Sequence, residues 1–140
     1  MSLIFWDTNL FIYLFESHGA LHERVVSLRK SMLDRGDQLI TSSLTLGEVL
    51  VKPIELQDFG LVAQYEKLIP TASLVVPFDS RAARMYANLR CDRSIRAPDA
   101  IQLACAATAG VDLFITNDER LSAKRVVGIQ FIVPLARAPL

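Results

Sequence analysis

The sequence has 140 residues, of which 51% are hydrophobic and 21% are charged, and its 15 basic and 15 acidic residues give a formal net charge of zero. This length and apolar content favour one globular domain, which we expect to span residues 1–140, and they exclude an intrinsically disordered chain. The apolar runs are too short for a membrane span, and the N-terminus lacks the basic start of a secretory signal. Two cysteines fit a reduced, cytoplasmic protein.

The zero net charge argues at first against a nucleic-acid partner, because phosphate binding favours a basic surface. The charges are nevertheless distributed unevenly. Residues 1–70 hold 9 acidic and 6 basic side chains, whereas residues 71–140 hold 6 acidic and 9 basic ones. Five arginines fall in one stretch of the second half, namely Arg81, Arg84, Arg90, Arg93 and Arg96. The chain is therefore polarised rather than uncharged.

Five short apolar runs predict β-strands. Their centres are continuously apolar rather than alternating, which is typical of a parallel sheet covered on both faces. In chain order, the predicted strands are residues 3–6, 38–41, 74–76, 113–115 and 130–133.

The segments between these strands show helical periodicity. Apolar residues recur every three or four positions in 20–33, 59–69 and 82–89, while residues 100–109 are apolar on nearly every side and predict a buried helix. Ser42 or Ser43 can cap a helix that starts near residue 44, Asp79 can cap another, and Gly110 can end the buried one. This alternation predicts an α/β fold, in which a central parallel sheet of four to five strands carries helices on both faces.

Four acidic residues occupy positions where an open parallel sheet binds ligands, at the carboxyl ends of its strands. Asp7 directly follows the first predicted strand, and Asp118 follows the fourth. Glu48 lies one turn into the helix after the second strand, and Asp99 opens the buried helix. We expect these four carboxylates to lie close together at one edge of the sheet.

Each acid also has a purely structural interpretation. Asp7 and Asp118 can cap the helices that follow them, and Asp99 can stabilise a helix start through its charge. Thr45 and Glu48 have the spacing of a capping box. Together, however, the four acids favour a metal site, since clustered carboxylates repel one another unless a cation neutralises them.

The residue types indicate which metal such a site would take. Ligation by oxygen alone, without His or Cys, suits Mg²⁺ or Mn²⁺, and such an ion can activate water for displacement at a phosphodiester. Polar neighbours that could orient the acids or bound waters are Thr8, Asn9, Thr116 and Asn117.

These motifs resemble those of a known family. DTN at residues 7–9, Glu48, PDAIQLA around Asp99 and TND at residues 116–118 are similar, in order and spacing, to the acidic quartet of PIN domains. The likeness is greatest to the VapC-type toxins of bacterial and archaeal toxin–antitoxin pairs, and it covers residues 3–133. It implies an endoribonuclease that forms a homodimer and is inhibited by a small antitoxin. The residues implied to bind one or two Mg²⁺ or Mn²⁺ ions and to carry out RNA cleavage are Asp7, Glu48, Asp99 and Asp118.

Three further features have both functional and structural interpretations. Arg90, Arg93 and Arg96, which lead into the Asp99 motif, can contact RNA or form a solvated helix face, and Arg96 can also partly neutralise the acids. His18 and His22 can share one helix face, but a solvated surface fits them better than a metal site. Residues 50–69 predict a broken helix pair, which the resemblance assigns to partner and dimer contacts.

Two other functions stay open at this point. A PIN-like module could bind RNA or protein without catalysis, although its mark would be a lost acid and all four positions are filled. A phosphoaspartate-type phosphotransfer domain also places acids at strand ends. It needs a lysine after a later strand, whereas Lys124 comes well after the fourth predicted strand.

Overall fold

A computed structural model describes residues 1–16 and 19–140, so that His18 of the histidine pair lies outside the described residues. The strands are β1 (Leu3–Trp6), β2 (Gln38–Ser42), β3 (Leu74–Val76), β4 (Leu113–Thr116) and β5 (Phe131–Pro134). The helices are α1 (Thr8–Phe15), α2 (Ala20–Arg35), α3 (Ser43–Glu55), α4 (Phe59–Ala72), α5 (Ser80–Leu89), α6 (Ala97–Ala109) and α7 (Glu119–Ser122).

The five strands form one parallel sheet in the order β3-β2-β1-β4-β5. In the central strand, Phe5 aligns with Ile40 of β2 and Phe114 of β4, and the rings of Phe5 and Phe114 stack with centroids 5.0 Å apart. Strand side chains alternate between the two faces, so Phe5 points to one side and its neighbours Ile4 and Trp6 to the other.

Helices cover both faces of the sheet, as the continuously apolar strands predict. Phe5 belongs to a core built with α5, α6 and α7, in which most side chains of α6 are buried. Ile4 and Trp6 belong to a second core built with α1, α2, α3 and α4. The periodic residues of α2, namely Val25, Leu28 and Met32, are fully buried in that second core.

The predicted elements agree with the structure to within a few residues at their ends, with two exceptions. No helical period predicts α1, because its sequence TNLFIYLF is too uniformly apolar, and only the interpretation of Asp7 as a cap indicates a helix there. Ser42 precedes α3, but its side chain makes no capping hydrogen bond. Asp79 does cap α5 by accepting from the N–H of Ala82 at 3.0 Å, and Gly110 ends α6 with a positive φ of 67°.

The strand order brings the carboxyl ends of β2, β1 and β4 side by side. Helices α3, α1 and α7 begin within three residues of these strand ends. The chain leaves β1 in one direction towards β2 and returns to β4 on the other side, and such a reversal opens a crevice at the sheet edge. Among the described residues, no helix is long and apolar enough to cross a membrane.

Candidate active site

All four predicted acids line one cleft at this edge of the sheet. The cleft has a volume of about 310 Å³, and each acid comes from a different part of the chain. Its lining residues are Asp7, Thr8, Asn9, Glu48, Arg96, Pro98, Asp99, Gln102 and Asp118. The structure therefore brings together carboxylates that are up to 111 positions apart in the sequence.

Asp7 is held in place by two hydrogen bonds at the start of α1. Its Oδ1 accepts from the backbone N–H of Thr8 at 2.8 Å, which is the cap that the structural interpretation predicts. Its Oδ2 accepts from the hydroxyl of Thr116 at 2.8 Å. Burial, reinforced by the charges of Asp99 and Glu48, outweighs these hydrogen bonds and raises the pKa of Asp7 to about 6.

Asp118 has the opposite electrostatic environment. The Arg120 side chain donates to both of its carboxylate oxygens, at 3.1 and 2.8 Å, and this pairing holds the pKa of Asp118 below its usual range. Arg96 lies between two acids of the cleft, with its Nε 3.4 Å from Asp99 and its Nη2 3.8 Å from Asp118. The arginines thus neutralise one side of the cleft. Among the described residues, no cation forms an ion pair with Asp7 or Glu48.

Glu48 does not form the capping box that the spacing of Thr45 and Glu48 suggests. Its Oε1 instead accepts a 2.6 Å hydrogen bond from the hydroxyl of Thr8, which lies on a different helix. Thr45 turns inward and is fully buried. The capping interpretation of Glu48 is therefore wrong, because tertiary partners take both side chains.

A buried polar network lies directly behind the cleft, and sequence reasoning missed it as a functional feature. Gln102 of α6 is 2% exposed and contacts hydroxyl groups on β2, α1 and α3. The signal was present in the sequence as a glutamine within the apolar part of α6. The hydroxyl-bearing members are Thr8, Thr41, Ser42 and Thr45.

The remaining predicted residues occupy different places. Asn117 is exposed and donates to the hydroxyl of Tyr13 at 2.9 Å. Arg90 donates to the backbone carbonyl of Ile95 at 3.1 Å, so it fastens the loop before α6. Arg93 is exposed on that loop. Of the three candidate arginines, Arg96 is the one that lines the cleft.

The donor set of the cleft fits a hard divalent cation in chemistry. Every candidate ligand is a carboxylate, hydroxyl or amide oxygen, which is the set that Mg²⁺ and Mn²⁺ prefer. Asp7 and Glu48, which have no ion-pair partner in the described part of the chain, are the carboxylates whose charge a cation would neutralise. In the part of the chain that the structure describes, no three His, Cys, Asp or Glu side chains are close enough together to hold one ion. Binding would therefore require the side chains to move towards one another.

Comparison with protein families agrees with this geometry. The family model described as PIN domain matches residues 4–127, which include all four acids. The chain belongs to the PIN domain family. The predicted resemblance is thus confirmed, and the matched region spans every element from β1 to α7.

Solved structures show the same PIN domain fold at low sequence identity. One is VapBC2 from Rickettsia felis bound to a DNA fragment from the VapBC2 promoter, which superposes with a TM-score of 0.70 at 15% identity. The match covers 94% of this chain and 98% of that chain. DNA-bound VapBC from Salmonella typhimurium gives a TM-score of 0.69 at 18% identity, and the match covers 96% of this chain and 99% of that chain. A toxin–antitoxin complex from Klebsiella pneumoniae gives a TM-score of 0.64 at 21% identity, and the match covers 90% of this chain and 94% of that chain. Comparison with curated protein sequences gives no match.

Proposed function

We propose that this PIN domain is an endoribonuclease that requires Mg²⁺ or Mn²⁺ and hydrolyses RNA phosphodiester bonds with metal-activated water. One observation carries the proposal: four carboxylates from four separate elements converge on one cleft at the carboxyl edge of a parallel sheet. Ordinary helix caps would not need to share a cleft. We assign the catalytic and metal-binding roles to Asp7, Glu48, Asp99 and Asp118.

The side chains around the cleft would have different roles in this reaction. Thr116 and the N–H of Thr8 fix the Asp7 carboxylate, while the Thr8 hydroxyl fixes Glu48. When bound, a divalent cation lowers the pKa of a water molecule and offsets negative charge on the phosphoryl oxygens. Without a metal, burial raises the pKa of Asp7 to about 6, and a bound cation would favour its charged form.

Arg96 is the side chain of the cleft that is best placed to meet the RNA phosphate. Its side chain is 66% exposed, and its ion pairs with Asp99 and Asp118 are long, at 3.4 and 3.8 Å. Exposed pairs of this kind contribute at most about 1 kcal/mol each, so the guanidinium can exchange carboxylate for phosphate at small cost. This exchange would also free Asp99 for the metal, whereas Asp118 would keep its ion pair with Arg120.

The decisive experiment measures cleavage of RNA by the full chain with added Mn²⁺ or Mg²⁺, with EDTA, and with the variant Asp99→Asn. We expect cleavage to stop in EDTA and to fall by at least about 100-fold in the variant, because one metal ligand is lost. The metal-free variant should unfold at the same temperature as the wild type or above it, since the change relieves repulsion between carboxylates.

A matched control is Asp34→Asn, which makes the same change at an exposed position on α2, outside the residues that line the cleft. It should cleave RNA at the wild-type rate. Cleavage that continues unchanged in EDTA would exclude the metal mechanism. A large loss of stability in Asp99→Asn would favour a structural role for that carboxylate instead.

The ion pairs of Arg96 and Arg120 favour a second candidate function, a PIN-like module that binds RNA or protein without cleaving it. In that case the arginines would neutralise Asp99 and Asp118 permanently. The same cleavage assay separates the two functions when it is combined with a binding assay. RNA binding without cleavage at any metal concentration would support the silent module.

We further propose that residues 1–140 form a VapC-type toxin that acts in the cytoplasm as a homodimer and is held inactive by a small antitoxin. The support is the shared fold with chains of VapBC and other toxin–antitoxin complexes, together with exposed apolar side chains on and between α3 and α4. These side chains are Val51, Ile54, Leu56 and Phe59. Growth arrest on expression, relieved by co-expression of the protein encoded beside it, would support this proposal. Unchanged growth would contradict it.

A further inference from the structure

The hydrogen bonds behind the cleft form one chain whose direction can be worked out from the number of hydrogens available. The Thr8 hydroxyl carries one hydrogen and lies 2.6 Å from Oε1 of Glu48, and a carboxylate can only accept. Thr8 therefore donates to Glu48. Its oxygen must accept from another group, and Nε2 of Gln102 lies 3.0 Å away.

The second branch leads to the same orientation of Gln102. The Thr41 hydroxyl donates to the backbone carbonyl of Trp6 at 3.0 Å, so its single hydrogen is used. The Thr41 and Thr45 oxygens are 2.8 Å apart, and Thr45 must therefore donate to Thr41. Thr45 in turn needs a donor, which is the second hydrogen of the Gln102 amide at 2.7 Å.

Gln102 consequently has only one orientation of its amide that satisfies every partner. Its NH₂ group faces Thr8 and Thr45, and its Oε1 accepts from the hydroxyl of Ser42. Turning the amide over would place its oxygen against two hydroxyls that have no hydrogen left to give. Because these groups are buried, an unsatisfied partner would be costly.

We propose that Gln102 is a positioning residue of the acidic site, which holds Glu48 in place through the hydroxyl of Thr8. Gln102 lies on the same helix as Asp99, Thr8 follows Asp7, and the chain ends at Glu48. One side chain thus ties together the elements that carry three of the four acids. The inference rests on the proposed metal-dependent function.

The first test measures Mn²⁺ binding by titration calorimetry on the full-length wild type and on Gln102→Met, which keeps the length of the side chain but removes its hydrogen bonds. We expect the dissociation constant to rise by about 10-fold, which is typical when a residue that orients a metal ligand is lost. Thr8→Val removes the next link and should produce a similar rise. The double variant should bind no more weakly than the worse of the two, because both changes break the same chain.

The matched control is Leu103→Ala, at the neighbouring buried position of α6. It should lower the unfolding temperature but leave Mn²⁺ affinity within about 2-fold, since no metal ligand depends on it. If Gln102→Met binds Mn²⁺ as tightly as the wild type, or if Leu103→Ala weakens binding equally, Gln102 has no positioning role.

A second measurement needs no metal and keeps the test valid if Gln102→Met fails to fold. In ¹H–¹⁵N NMR spectra of the wild-type chain, the side-chain NH₂ of Gln102 should exchange with water far more slowly than those of the exposed Gln57 and Gln130. Thr8→Val should shift one of its two proton resonances. Fast exchange at Gln102 would overturn the inference. A wild-type chain that shows this NMR signature but binds no Mn²⁺ would refute the proposed function instead.

Discussion

Asp7 and Asp118 show how much a single residue's surroundings decide its chemistry. Both follow a parallel strand, and both cap the helix behind them. Yet Asp7 is buried, pairs with no cation of residues 1–16 and 19–140, and has a raised pKa, whereas Asp118 is paired with Arg120 and has a lowered pKa. The structural and functional interpretations of these acids are therefore compatible, because a carboxylate has about four lone-pair sites and a helix cap uses one of them.

The raised pKa of Asp7 predicts how the stability of the metal-free protein depends on pH. The native state binds the Asp7 proton up to a pKa of about 6, while the unfolded chain releases it near 3.8. The stabilising contribution of protonated Asp7 is therefore complete below pH 3.8 and is lost as pH rises through 6. Asp7→Asn removes this loss and should stabilise the protein by about 3 kcal/mol at pH 8 relative to its effect at pH 3.5.

Thermal unfolding in EDTA across pH 3.5–8 checks this prediction. The expected pattern is a difference in unfolding temperature between Asp7→Asn and the wild type that grows through pH 4–6 and then levels off. Asp118→Asn is a suitable comparison, because its lowered pKa gives the opposite sign and its paired carboxylate contributes stability at neutral pH. A pH-independent difference for Asp7→Asn would contradict the assigned burial effect.

At the scale of elements, the sheet could be predicted because each strand is short, apolar and separated from the next by a helix. The four acids could be placed at its edge for the same reason. The spacing of Thr45 and Glu48 suits both a capping box and a tertiary contact with Thr8, so local sequence cannot separate them. The contacts of Gln102 could not be predicted, because its partners lie 57 to 94 positions away in the sequence.

The packing of the loop before β5 against α6 leads to a prediction about two glycines. Gly128 has a φ of 97°, and a Cβ atom there would lie 2.7 Å from the carbonyl oxygen of Ala107. Gly128→Ala should therefore destabilise the fold by roughly 2–3 kcal/mol, through backbone strain and a clash with α6. Gly47 lies inside α3, and apart from its chain neighbours and its own helix backbone, no atom of the described residues lies within 4 Å of such a Cβ. Gly47→Ala should stabilise by about 0.5–1 kcal/mol.

Urea unfolding of both glycine variants beside the wild type measures these effects. Each variant adds one methyl group, so opposite signs can only come from the local backbone and its neighbours. A Gly128→Ala variant at least as stable as the wild type would mean that the loop before β5 does not pack on α6 as described. A destabilised Gly47→Ala would contradict the open surroundings of Gly47 in α3.

At the scale of the whole molecule, the net charge of zero conceals an organised surface. Two of the acids in the cleft, Asp7 and Glu48, come from the acidic first half of the chain. The two arginines that pair with the other acids, Arg96 and Arg120, come from the basic second half. Folding therefore brings the two halves together at one place. A bound cation would offset the acids and leave the arginines as the dominant charge facing RNA.

This view predicts how RNA binding depends on salt. Binding should be measured in Asp99→Asn, in which we expect cleavage to be lost, across a range of salt concentrations in the presence of Mn²⁺. Replacing Arg96 by Ala in that background should weaken binding and lower the slope of log K against log salt concentration by about 0.7, the value for one phosphate contact on a single strand. Lys30→Ala, an exposed basic residue on α2, should change neither quantity. An unaltered slope in Arg96→Ala would mean that Arg96 pairs with the carboxylates and does not contact RNA. An equal change of slope in Lys30→Ala would mean that RNA binding is not directed to the cleft.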